Sequence, residues 1–120
     1  MQPIEVLKMY NPKPEIYSKL CEIKGVSVSQ SSQNIFNEVP AITYRIDGNT
    51  PDYYLENDIA SQEITCTIDI WTESSTKASE LLAKVEAKMR EINYRLNNAL
   101  DVPSPEGALY HINASFIGLR

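Results

Sequence analysis

Residues 63–96 read EITCTIDIWTESSTKASELLAKVEAKMREINYRL, and they decide the fold. Ile64, Cys66, Ile68 and Ile70 alternate with Thr65, Thr67, Asp69 and Trp71. A period of two puts each set on its own face of a half-buried strand. The period then changes. Ala78, Leu81, Leu82, Val85, Met89, Ile92 and Leu96 recur at spacings of three and four, the stripe of an amphipathic helix. Ser74 or Ser75 is the predicted N-cap, since a serine hydroxyl accepts one of the unpaired amides of the first turn. Glu80/Lys84, Glu86/Arg90 and Glu91/Arg95 each place the acid four residues before the base, which marks a solvated outer face. Asn97-Asn98 is the predicted helix end. Strand and helix together form a scaffold without a catalytic motif, and that points to assembly rather than chemistry.

Upstream, residues 41–47 alternate in the same way: Ile42, Tyr44 and Ile46 on one face, Thr43, Arg45 and Asp47 on the other. Asp47-Gly48-Asn49 has turn chemistry. Residues 50–61 read as a long connection carrying Tyr53, Tyr54, Glu56 and Asp58, longer than a tight hairpin needs. The strand at 63–72 is predicted to pair antiparallel with 41–47 through it. Residues 26–33 (VSVSQSSQ) read as a short exposed strand and loop. Pro14 opens a predicted helix with the stripe Ile16, Tyr17, Leu20, Cys21, Ile23, and Gly25 stops it. Residues 1–12 carry a pattern for two helical turns, interrupted by Pro12. Residues 101–107 (DVPSPEG) read as a loop. In the last strand Tyr110, Ile112, Ala114 and Phe116 face the core, while His111, Asn113 and Ser115 face away.

These elements predict one α+β domain over residues 1–120, with residues 1–37 a helical and loop segment. The expected architecture is a mixed, mainly antiparallel sheet of about four strands with helices packed on one face. The other sheet face, with Thr43, Arg45, Thr65, Thr67, Asp69 and Trp71, is expected to meet solvent or a second subunit.

At 120 residues the chain has room for one domain, and its 42% hydrophobic and 22% charged residues are ordinary for a globular protein. A net charge of −5 with scattered basic residues argues against a phosphate-binding surface and against sequence-specific nucleic-acid binding. No run of 18 apolar residues predicts a membrane span, and the first residues lack a signal-peptide pattern. Cys21 and Cys66 are expected to be free thiols, buried or partly so, in a protein made in a cytosol.

The chemistry-bearing residues are few. His111 is the single histidine and reads as an exposed strand position, without partners in sequence for a catalytic triad. One histidine and two distant cysteines do not make a zinc site, and Asp47, Gly48, Asn49 and Asp52 lack the closing glutamate of a calcium loop. Asp69 is expected to pair across strands with Arg45. The four isolated glycines argue against a phosphate loop, so neither cofactor nor metal is expected. Candidate interface residues are Tyr53, Tyr54, Glu56 and Asp58 in one loop, Pro103, Pro105 and Glu106 in the other, and Trp71, which either packs under the following helix or anchors a partner.

The segments VPAITYRID, YYLENDIAS, ITCTIDIWTESS, STKASELLAKVEAKM and YHINASFIGLR together resemble tail completion, or tail terminator, proteins of long-tailed phages and prophages. The strand IDIWT running into a serine/threonine-capped helix is the most specific piece, and the resemblance covers residues 38–120. It implies a non-enzymatic structural subunit of the virion tail, assembled in the host cytoplasm. Such subunits close into a homo-hexameric ring that caps the tail tube, contacting the major tail tube protein on one side and the head–tail connector on the other. Other readings of the same residues are a head-completion or connector adaptor protein, and a small dimeric interaction domain using the polar sheet face. A small ligand-binding or enzymatic domain would need a convergent polar pocket for which the sequence offers no second histidine or acid pair.

Overall fold

The computed structural model describes residues 10–30, 39–53, 59–103 and 109–120. The elements are α1 (Lys13–Leu20), β1 (Ser27–Gln30), β2 (Ala41–Tyr53), β3 (Ile59–Thr72), α2 (Ser75–Glu91), β4 (Tyr94–Val102) and β5 (Tyr110–Leu119). The strands form one five-stranded sheet in the order β1-β2-β3-β5-β4. β1 runs parallel to β2 and every other pairing is antiparallel. This is the expected α+β class, a mixed sheet with both helices on one face.

The alternating pattern works as a strand must. Ile42, Ile64, Cys66, Ile68, Ile70, Ala114 and Phe116 are fully buried and meet Ala78, Leu81, Val85 and Met89 of α2 and Ile16 and Leu20 of α1. Each such isoleucine contributes about 1.5–3 kcal/mol by leaving water. Ser74 is the N-cap: its Oγ accepts from the Lys77 amide at 3.1 Å. Of the three predicted helix ion pairs Glu86–Arg90 closes, at 3.0 Å. Glu91 turns instead to Lys19 of α1 (2.9 Å) and, more distantly, to Lys88 (3.8 Å), which holds Glu22 at 3.0 Å. That lattice ties the two helices together.

The helix is shorter than its stripe suggests. It ends at Glu91, and Asn93 sits at φ 66°, the left-handed conformation that asparagine tolerates and that stops an α-helix. Residues 94–102 are strand β4, not a helix tail followed by loop, and Asn97-Asn98 is not the helix end. The Ile92-to-Leu96 spacing matches a helix by coincidence; Leu96 stands 36% exposed on the edge strand. Tyr94, by contrast, is 1% exposed and pairs with Gly118, and its ring lies where a side chain at 118 would stand. A Cβ there would be 2.6 Å from Tyr94 Cδ2, so this aromatic needs a glycine partner.

Asp47-Gly48-Asn49 does not turn the chain. Ile46 pairs with Cys66 and Gly48 with Thr65, which leaves Asp47 as the extra residue of a bulge. β2 then continues to Tyr53, so most of the predicted connection is strand. A Cβ on Gly48 would come 2.8 Å from Thr65 Oγ1, so the residue type that suggests a turn serves the close strand approach after the bulge. Pro51 is accommodated because β2 pairs only with β3 at that level.

Two smaller expectations change as well. Tyr17 and Tyr110 are 46% and 52% exposed and do not join the core. Cys21 is exposed, while Cys66 is buried; both are free. The two-turn helix expected in residues 1–12 lies mostly outside the described residues.

Candidate functional site

The helices cover one sheet face, and the opposite face presents the alternate residues of β2, β3 and β5. Ala41, Trp71 and His111 stand side by side in register, as do Thr43, Asp69 and Asn113. Cross-strand neighbours on one face lie within side-chain reach, and here they form a connected polar cluster. Asp69 is its centre, with a side chain 8% exposed. Its Oδ1 accepts from Asn113 Nδ2 at 3.0 Å and lies 2.7 Å from His111 Nε2. Arg45 reaches Oδ2 at 3.4 Å and also donates to Asp47 at 2.8 Å. A carboxylate only accepts, so Nε2 is the protonated nitrogen of His111. Asp47, the bulged residue, accepts from the Thr67 hydroxyl.

Trp71 belongs to this face. It does not lie under the helix that follows; its indole stacks on the His111 imidazole with centroids 3.7 Å apart and planes 13° apart, and its Nε1 points to Thr43 Oγ1 at 3.5 Å. The expected Arg45–Asp69 pair is present, but the stronger partners are His111 and Asn113. His111 is not a plain exposed position, since its side chain is 14% exposed. The sequence signal for this cluster was available in the register: once β5 is placed beside β3, His111 and Asn113 fall next to Trp71 and Asp69. Chemically the cluster is a satisfied network that rigidifies the sheet. Among the described residues no group of three or more metal-ligating side chains converges.

The sheet core is sealed at one end by Arg120. Its guanidinium lies 4.5 Å from the Tyr94 ring centroid, pairs with Glu15 at 2.9 Å, and donates to the Ile92 carbonyl. Gln62 of β3 exchanges hydrogen bonds with the Tyr10 backbone at 3.0 and 2.8 Å. Burial pushes the Tyr94 phenol upward and the Cys66 thiol up to about 12, so both stay protonated at neutral pH.

Beyond Gln62 the sheet narrows to two strands. The Gln62 and Arg120 backbones pair at 2.7 and 2.9 Å, and β5 ends there. Among the described residues β2 and β3 run on from there as a short ribbon, Asp52 opposite Ser61 and Tyr53 opposite Ile59. Tyr53 is at the end of this ribbon; Tyr54, Glu56 and Asp58 lie outside the described residues. Pro103 follows β4 and is exposed, whereas Pro105 and Glu106 lie outside the described residues. Tyr53 and Pro103 therefore leave from different strands, and neither joins the Trp71 cluster.

Concavities lined by described residues lie on the body. A cleft of 610 Å³ at the base of the ribbon is lined by Glu63, Arg90, Asn93, Tyr94, Arg95, Ile117, Gly118 and Leu119. A groove of 230 Å³ beside the start of α2 is lined by Val26, Pro40 and Leu81, with Lys24, Lys77, Lys84 and Glu80 around it. Neither joins a histidine, a cysteine and an acid in the manner of an active centre. Among the described residues no helix is long and apolar enough to cross a membrane. No protein-family model matches the chain, and no curated protein matches its sequence.

Proposed function

We propose that this protein is a structural subunit of a phage tail that closes the tail tube as a homo-hexameric ring and offers the surface joined to the head connector. The observation that carries the reading is the two-stranded ribbon. Residues 52–53 and 59–61 extend past the end of β5, where, among the described residues, each strand has only the other as partner. An isolated two-stranded extension gains little for its own domain. It is well suited to reach another subunit, and its end carries the tyrosines and acids of residues 53–58. The polar sheet face opposite the helices supports the same reading. Its hydrogen bonds are already satisfied within the sheet, as befits a wall, and the chain's net −5 disfavours retention of DNA passing through a lumen. The partners are then other copies of the chain, the major tail tube protein and the head–tail connector protein; the location is the virion tail, after assembly in the host cytoplasm.

Light scattering behind size exclusion, over a range of concentrations and with or without purified tail tubes, tests this. A six-fold multiple of 13.6 kDa, free or on tubes, is the expected result. A monomer that never binds tubes, or a dimer, would refute it. Tyr53→Ala combined with Tyr54→Ala should weaken assembly; unaltered assembly removes that loop from the interface.

A further inference from the structure

The groove beside α2 is where positive charge accumulates without a carboxylate partner among the described residues. Lys24, Lys77 and Lys84 surround it and are exposed, and none makes an ion pair among the described residues. By contrast Lys19, Arg45, Lys88, Arg90 and Arg120 each hold a carboxylate. The groove's apolar lining is Val26, Pro40 and Leu81. Its complement is an acidic segment with apolar side chains.

The chain itself contains one. Residues 52–58 read DYYLEND: three carboxylates, two tyrosines and a leucine, with no basic residue. Building on the ring reading, we infer that the lysine-rimmed groove of one copy receives the acidic hairpin end of a second copy. Self-insertion is excluded by length. Pro40 directly precedes β2 and Tyr53 ends it, so the groove and the hairpin end lie at opposite ends of a 13-residue strand. At about 3.3 Å per residue that strand spans roughly 40 Å. A surface at one end that fits a different surface at the other end makes a heterologous, head-to-tail contact. Repetition of such a contact generates a closed ring when the rotation closes. Three lysines against one glutamate on one side, and three acids on the other, give the contact its polarity and its salt sensitivity.

A charge swap in the full-length chain tests the inference. One variant carries Lys77→Glu and Lys84→Glu, the other Glu56→Lys and Asp58→Lys. Alone, each presents like charges at every contact, and its association, read by light scattering or by co-sedimentation with tail tubes, should weaken about tenfold or more. Mixed one to one, the acidic groove meets the basic hairpin end and the basic groove meets the acidic one. Assembly should then recover with the two chains alternating, which six positions permit. Urea midpoints equal to wild type show that each variant is folded. Wild-type-like assembly of either variant alone, or no recovery on mixing, overturns the hairpin-to-groove contact and leaves the ring reading standing. A wild-type chain that remains monomeric at every concentration and on tubes, or that stops at a two-fold dimer, overturns both.

Discussion

Replacing Gly118 by alanine tests the way β4 is held to the sheet. The added methyl would lie 2.6 and 2.7 Å from two carbons of the Tyr94 ring and 3.1 Å from a third. Carbon atoms do not approach so closely, so the ring must move. It has little room: Tyr94 is 1% exposed and Arg120 lies over its face at 4.5 Å. Overpacking of this kind costs about 1–3 kcal/mol. Alanine returns about 0.4–1 kcal/mol by restricting the unfolded chain. The net expectation is a loss of roughly 1–2 kcal/mol, measured by urea unfolding. With a urea slope of about 1–3 kcal/mol/M the midpoint falls by roughly 0.3–2 M. The mechanism is specific to the ring, so a double-mutant cycle with Tyr94→Leu should show coupling of about 1 kcal/mol or more. If Gly118→Ala is as stable as wild type, or costs the same in both backgrounds, the account of the glycine–aromatic contact is wrong.

Four further outcomes follow from the same structure. One thiol per chain, Cys21, should react with a disulfide reagent in the native state and both in denaturant, because Cys66 is buried and its pKa is pushed up to about 12; rapid native labelling of two thiols would contradict the packing of β3. Asp69→Ala should lower stability by about 1–3 kcal/mol, as seen in urea, since His111, Asn113 and Arg45 all lose an acceptor; a change below about 0.5 kcal/mol would mean the cluster is ornamental. Tyr94→Phe should be neutral or stabilising by thermal unfolding, because the buried Tyr94 hydroxyl has no hydrogen-bond partner among the described residues; a large loss would contradict this. The Glu22 carboxyl is held below its usual value of 4.5 by Lys88 and then Lys19, and that of Glu91 by Lys19. Groups lowered on folding stabilise above the unfolded pKa and lose that contribution as pH falls through the folded one. Stability should therefore decline below about pH 4.5, and less steeply in a Glu22→Gln, Glu91→Gln variant; identical pH profiles would refute the helix–helix lattice.

The fold class was legible because it rests on local periodicity. Ile64 to Ile70 alternate, Ala78 to Met89 repeat at three and four, and each pattern permits one solution that buries the apolar set. Ser74 was legible for the same local reason, as a hydroxyl at the entry to a helix. Where an element stops is decided less locally. Asn93 ends α2 by adopting a left-handed backbone, and the next residues gain more as strand β4, where Tyr94 covers Gly118, than as another turn carrying Leu96. Gly48 suited a turn and a bulge equally until β3 was present to pair with both sides of Asp47. Spacing along the chain was enough to place Ile64 to Ile70 and Ala78 to Met89 against the core and to put helix and sheet in one domain, because hydrophobic burial follows periodicity, whereas Tyr17 and Tyr110 at the ends of such patterns stay exposed. Only the tertiary structure decided that Asp69, Trp71, His111 and Asn113 form one cluster, and that Lys24 and Lys84 share a groove with Pro40. Those groups are far apart in sequence, and they meet only once strand order and register have been set by the packing of the whole sheet against its helices.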